Sequence, residues 1–356
     1  MSKTVRLTNK QVSFCVQDNE TILEAAIRAG VSLNYGCSSG TCGLCMARLL
    51  EGQVTEIRSH DFAIPEADKL QGNILTCINS PSQDCVIDAM SCEDPSEIPV
   101  QTIEVKVRKV EQLSREVHRL IVQTPRTHRL RFLAGQYVEL EIEKLGRCQL
   151  SIANCPCEDR LIEFHVRVTK NDAVTYGLVN TMRKGDSILL HGPHGGFVYQ
   201  EKTTRPIIMF AFDIGFAAIK SLLDHVTAQE QEPDIFLIWM ACSDGGLYLH
   251  NLCRSWTDAF DGFEYTGIML QQSPQTLLNN PELSCQVIGK HMHDALLDQP
   301  DLFGHDIYVC APSPAQTLFK DICQQKNYNS HRFFTESVRG NQDLSCIVTD
   351  DKMIQN

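Results

Sequence analysis

The sequence has no run of 18 apolar residues and no basic segment leading into an apolar one near its start. It therefore predicts neither a membrane-spanning helix nor a secretory leader, and a cytoplasmic location is expected. Basic residues are the minority, with 32 Lys and Arg against 44 Asp and Glu and a net charge of −12. That balance argues against nucleic acid or an anionic membrane surface as partner, and suits docking to a basic protein face. Apolar residues are not scarce. At 43 % they exclude global disorder, and a length of 356 residues predicts two or three domains, each with its own core.

Cysteine is abundant, with sixteen in the chain. Without a secretory leader a disulfide framework is not expected, and the cysteines outside the motif below read as free thiols. Cys155-Pro156-Cys157 lacks the second half of a zinc site. One stretch is different. Residues 35–45 read Tyr-Gly-Cys-Ser-Ser-Gly-Thr-Cys-Gly-Leu-Cys, placing Cys37, Cys42 and Cys45 in a C-x4-C-x2-C run with Cys77 following after 31 residues. Zinc sites usually pair their ligands in two short knuckles. Three thiols in one glycine-rich loop with a distant fourth is the plant-type spacing for a 2Fe–2S cluster. The small residues between them let backbone N–H groups turn toward the sulfurs.

Around that loop, alternation over residues 3–16 predicts a hairpin, and Asn19 or Thr21 would cap a helix that Gly30 stops. The order hairpin, helix, Y-G-C-x4-C-G-x-C, A-R-L-L-E-G and L-T-C resembles the plant-type ferredoxin domain. It is closest in type to the ferredoxin part of modular flavin-dependent reductases that serve oxygenases and sugar-deoxygenating enzymes. The resemblance covers about residues 1–93 and implies a β-grasp fold. Residues 94–99, acidic and proline-bearing, read as a linker. Residues 100–201 carry many short strand patterns, predicting an antiparallel barrel. Their phrases F-L-A-G-Q-Y-V, S-I-A-N, H-V-R-V and G-P-H-G-G-F resemble the FAD-binding barrel of the ferredoxin-NADP reductase family. Residues 202–337 alternate apolar strands with helices, predicting a doubly wound parallel sheet of the family's nucleotide-binding type, and a polar tail, 338–356, follows. The fold class expected is thus multidomain, α+β and α/β.

The resemblance implies that Ser151 and Thr175 contact FAD and that Gly215 and Cys310 face a pyridine nucleotide. It also exposes departures. Where the family has R-x-Y-S before I-A, this chain reads Cys148-Gln149-Leu150-Ser151, with Arg147 one position away and so on the opposite strand face. Losing a bidentate arginine–phosphate pair weakens FAD binding by about 2–3 kcal/mol unless something compensates. Where the family has G-G-T-G-F, this chain has Phe212-Asp213-Ile214-Gly215-Phe216, and the family's W-G-A-R ending appears as Trp239-Met240-Ala241-Cys242. A carboxylate at Asp213 would oppose an incoming pyrophosphate, which argues against direct NAD(P)H oxidation and leaves room for an external reductase. Phe333 and Phe334 are expected either near the flavin or in the core.

The expected function is electron transfer through the 2Fe–2S cluster to a partner oxygenase or similar redox protein, docked at the face of Ser38, Ser39 and Thr41. The alternatives are a ferredoxin fused to a pseudo-reductase that serves as a docking scaffold, and a reductase of free flavin. No catalytic residue is assigned.

Overall fold

A computed structural model describes residues 2–8, 12–31, 33–89, 95, 98–168, 172–200, 205–228, 233–243, 245–270, 281–297 and 301–338, with side chains left out at 281–285. Most of the expected linker, the tail beyond Val338, and Cys92 and Cys346 lie outside the described residues. Among the described residues three main sheets pack around separate cores, and a two-stranded ribbon adds to them.

The first sheet contains β1 (Lys3–Leu7) and β2 (Ser13–Val16), which form the expected hairpin. Helix α1 (Ile22–Arg28) follows, with Thr21 and Glu24 closing a capping box at its start and Gly30 at φ 72° beyond its end. After the cysteine loop come β3 (Met46–Glu51), β4 (Val54–Glu56), α2 (Glu66–Leu70), β5 (Asn73–Leu75), β6 (Asn79–Pro81) and β7 (Cys85–Asp88). The sheet order is β2-β1-β7-β3-β5, mixed in direction, with β1 and β7 parallel. Ile22, Leu23, Ala25 and Ala26 of α1 are buried in its core.

The second sheet runs β11-β10-β13-β8-β9-β12, built from β8 (Gln101–Gln112), β9 (Val117–Gln123), β10 (Tyr137–Ile142), β11 (Gly146–Ser151), β12 (Leu161–Arg167) and β13 (Ser187–His194). Every neighbouring pair is antiparallel, and a bridge between Ile152 and Phe164 ties the two ends of the sheet together. Helix α3 (Ala173–Thr181) lies between β12 and β13. Inward side chains such as Val105, Leu120, Val138 and Leu190 alternate with outward polar ones, the period-2 signal that predicts such strands.

The third sheet is parallel. Its elements are β14 (Ile207–Phe212), α4 (Phe216–Thr227), β15 (Ile235–Ala241), α5 (His250–Ala259), β16 (Phe263–Met269), α6 (Pro281–Ala295), β17 (Asp306–Cys310), α7 (Ser313–Gln324) and β18 (Phe333–Glu336). All six residues of β14 are buried, because helices cover both faces. The order β16-β15-β14-β17-β18 reverses direction between β14 and β17, and ligands of such sheets bind at the carboxyl ends flanking that reversal. Phe333 packs into one core and Phe334 stacks on Tyr308 at 4.9 Å, so these two rings belong to the core. No helix among the described residues is long and apolar enough to cross a membrane.

Candidate functional site

The cysteine loop leaves α1 and wraps into β3, so three thiols ride on irregular backbone between two fixed elements. Gly40 and Gly43 hold φ of 72° and 76°, a region where a side chain is strained. A Cβ at either would also run into His60 or the Phe62 ring. The result is a tight turn whose amides point at sulfur. Cys37 Sγ accepts from Ser39 N at 3.4 Å and Thr41 N at 3.2 Å, and Cys42 Sγ accepts from Cys37 N at 3.4 Å. Cys45 and Cys77 meet at 3.1 Å, both buried, with Thr76 N bonded to the Cys45 carbonyl at 3.1 Å.

Burial alone would raise the Cys37 thiol, but hydrogen bonds from Thr41 and from the Ser39 amide outweigh it and hold the group at about 6. Cys45 is brought to about 7 by its hydrogen bond with Cys77, against burial, while Cys77 is pushed up by the same contact. Thiolates are the ligand form, and sulfurs supplied with N–H donors keep that form at neutral pH. Cys42 is raised by burial despite its amide donor, so two of the four thiols favour the thiolate before any metal arrives; the spacing and shared turn of all four fit a 2Fe–2S cluster.

One side of the loop rests on the chain itself. Arg129 N donates to the Gly36 carbonyl at 2.9 Å, Ser38 Oγ donates to Asp159 Oδ2 at 3.3 Å, and Arg131 bonds Asn34. Ser38 is therefore turned toward the barrel, which corrects the expected partner-docking face at that residue. The solvent side of the loop carries Leu44, 53 % exposed, and the exposed Met46.

At the barrel, Thr175 lies at the start of α3 as expected, but its partners are already present. Asp172 caps the helix, with Oδ1 accepting from Val174 N at 3.0 Å and Thr175 N at 3.3 Å, and Oδ2 accepting from Thr175 Oγ1 at 2.7 Å. Cys148 is pushed up to about 12 by burial, reinforced by the charges of Asp172 and Glu139. Arg147 points outward to Glu139 at 2.9 Å and Glu141 at 2.8 Å. This end of the barrel presents carboxylates where an FAD pyrophosphate would need donors, so the residues there favour that group only weakly. Ser151 is buried at the other end of β11, opposite Tyr137. Thr175 on α3 and Ser151 at the end of β11 thus lie on different elements of this domain. Asp172 escaped the sequence reading, although an Asp three residues before Thr175 is itself a capping signal.

At the parallel sheet, Gly215 and Cys310 come together at the reversal between β14 and β17. A Cβ on Gly215 would strike the Cys310 carbonyl, so only glycine permits this approach. Cys310 pairs in register with Glu336 of β18, a buried carboxylate the sequence reading passed over. A Cβ on Gly195 would lie 3.0 Å from the Tyr137 ring and 3.2 Å from Glu336 Oε2, which brings the Ser151–Tyr137 end of the barrel to the Cys310–Glu336 edge.

Asp213 holds φ at 54°, a left-handed conformation that glycine adopts freely and that Asp tolerates better than most residues. It is not the bare charge expected. Arg167 of β12 binds Asp213 Oδ2 at 2.7 Å, pairs with Glu116, and reaches Ser243 Oγ at 3.2 Å. Burial lifts the Asp213 carboxyl while Arg167 pulls it back. The argument that Asp213 repels a pyrophosphate is corrected by this pairing, which the sequence could not display because the partners lie on different sheets.

Comparison with known proteins gives the same layout. Residues 5–82 match the 2Fe-2S iron-sulfur cluster binding domain and residues 104–199 the oxidoreductase FAD-binding domain. The chain is 26 % identical over 338 residues to the CDP-6-deoxy-L-threo-D-glycero-4-hexulose-3-dehydrase reductase of Yersinia pestis, covering 95 % of this chain and 98 % of that one. It is 27 % identical over 347 residues to the phenol hydroxylase P5 protein of Acinetobacter pittii, covering 94 % and 95 %. Among solved structures, the Amycolatopsis cytochrome P450 reductase GcoB aligns with a TM-score of 0.57 at 22 % identity, over 94 % of this chain and 98 % of that one, a likeness of fold. Resemblance along the whole chain fits an electron-transfer role rather than a scaffold.

Proposed function

We infer that this chain, a 2Fe–2S ferredoxin-type domain joined to a ferredoxin-NADP reductase-type module, is the reductase component of a multi-protein oxidoreductase. Its partner is an oxygenase or a comparable redox enzyme, the class named for its relatives. The proposed domain limits are 1–93, 100–201 and 202–337, and the proposed compartment is the cytoplasm. Cys37, Cys42, Cys45 and Cys77 are the proposed cluster ligands. A 2Fe–2S centre held by them supplies one-electron storage.

The observation that carries this reading is the contact between the cysteine loop and the barrel, at Gly36–Arg129 and Ser38–Asp159. It fixes the thiols beside the module that would deliver electrons to them. The exposed Leu44 and Met46 leave the opposite side of the loop open for the acceptor. NADH or NADPH is the proposed source. The neutralising Arg167–Asp213 pair and the strand-order reversal of the parallel sheet beside it support it. Absorption spectra of purified protein, taken anaerobically before and after each nucleotide, test the proposal. Bleaching of the cluster bands is expected, and bands unchanged by both nucleotides would reject them as donors.

FAD is the flavin proposed for this domain type, held weakly because its phosphate end meets Asp172 and Cys148. Asp172→Ser combined with Cys148→Arg keeps a cap on α3 while exchanging a carboxylate for a guanidinium. The double variant should bind FAD more tightly by about 30- to 150-fold, equivalent to about 2–3 kcal/mol. Titration calorimetry reads this directly, and equal affinities would show that the pyrophosphate does not reach that end.

A further inference from the structure

The turn Cys155-Pro156-Cys157 has no part in the electron path described above, yet it occupies a distinctive position. The two cysteines, expected to be free thiols, are joined as a disulfide. Cys155 is buried and Cys157 exposed, so one sulfur is sheltered and the other accessible. His225 of α4 places Nδ1 3.7 Å from Cys155 Sγ. Pro156 lines a cavity of about 30 Å³ where the three sheets meet, between Ile27 and Leu33 of the first part, Leu133 of the barrel and His225. Two residues beyond Cys157, Asp159 accepts from Ser38 in the cluster loop at 3.3 Å, and its carbonyl accepts from Thr124 Oγ1 at 2.9 Å.

We propose that Cys155 and Cys157 form a thiol-exchange site, open to a protein or small-molecule dithiol, at the junction of the three sheets. An incoming thiolate attacks Cys157 Sγ, the accessible sulfur. The Cys155–Cys157 bond breaks, and Cys155 leaves as a thiolate beside His225, which is placed to supply a hydrogen bond. The second thiol of the reductant then attacks the mixed disulfide and frees Cys157. Two electrons pass from the dithiol to the pair, both thiol protons of the reductant end on Cys155 and Cys157, and the reductant becomes a disulfide. Reversal by a disulfide oxidant such as oxidised glutathione restores the bond.

The test uses the whole protein, equilibrated with dithiothreitol at graded ratios of reduced to oxidised form, then denatured and blocked with N-ethylmaleimide. Trypsin cuts after Arg147 and Arg160, so Cys148, Cys155 and Cys157 fall in one peptide. We expect one label, on Cys148, at the oxidising end and three at the reducing end, with a reversible midpoint between. Three labels at every ratio, or one label even in excess reduced dithiothreitol, would overturn the site. His225→Phe, which keeps the ring but carries no N–H donor, should slow reduction by about threefold through loss of leaving-group stabilisation. An unchanged rate would remove His225 from the mechanism. The readout is a peptide mass, so it succeeds or fails independently of cluster function.

Discussion

Cys42→Ser is expected to abolish the visible absorption and the low-temperature paramagnetic signal of the reduced protein. A serine hydroxyl has the reach of the thiol but is a far poorer ligand to iron at neutral pH, since ligands of these centres must be deprotonated. Cys42 also receives the Cys37 amide, so its loss disturbs the hydrogen bonding of the turn as well as the ligand count. Far-ultraviolet circular dichroism provides the control. The barrel and parallel sheet have separate cores and should keep their secondary structure in the variant. An intact cluster spectrum in Cys42→Ser would overturn the ligand assignment. Iron and sulfide analysis should fall in step with the absorption.

The second large effect is expected from Arg167→Met. Arg167, its side chain 13 % exposed, holds Asp213, itself 1 % exposed, across the boundary between the barrel and the parallel sheet. Removing the cation leaves a carboxyl with an uncompensated charge in a poorly solvated place, and breaking a buried pair from one side typically costs about 3–5 kcal/mol. Glu116 also loses its partner, but it is partly exposed and adds less. The sign of the pH dependence follows. Burial already raises the Asp213 carboxyl, and without Arg167 nothing opposes that rise. Its native pKa then lies above the unfolded one, so the penalty grows as pH rises through the unfolded value and shrinks as pH falls. Urea melts should therefore show a larger deficit at pH 7.5 than at pH 5.5. Adding Asp213→Asn should recover much of the loss, whereas additive losses in the double variant would mean that the two side chains act separately.

These cases mark what the sequence displayed. The cysteine spacing was legible because the ligands of the loop are close in sequence. The strands and helices were legible because burial repeats with the period of each element, as in the unbroken apolar β14 and the capping box of α1. Arg167–Asp213 was not, because 45 residues separate the partners and no local pattern records a contact between sheets. Asp172 illustrates a subtler failure. Its capping role was readable from its place before α3, but the consequence, that it takes the amides a phosphate would use, appears only when Cys148 and Glu139 are seen beside it. The disulfide between Cys155 and Cys157 was hidden for a different reason, since compartment and spacing argue from averages and a single proline between two cysteines is a local exception to them.

The clasp of Gly36 and Ser38 onto Arg129 and Asp159 also has a kinetic consequence. Donor side and storage site share one chain and one packed boundary, so filling the thiol-bound centre is a first-order event. Diluting the protein should leave that rate unchanged, while delivery to the separate acceptor slows in proportion. With flavin and nucleotide kept in excess, the proposed route would keep the centre loaded at any protein concentration, and the supply of acceptor would set how often it is emptied.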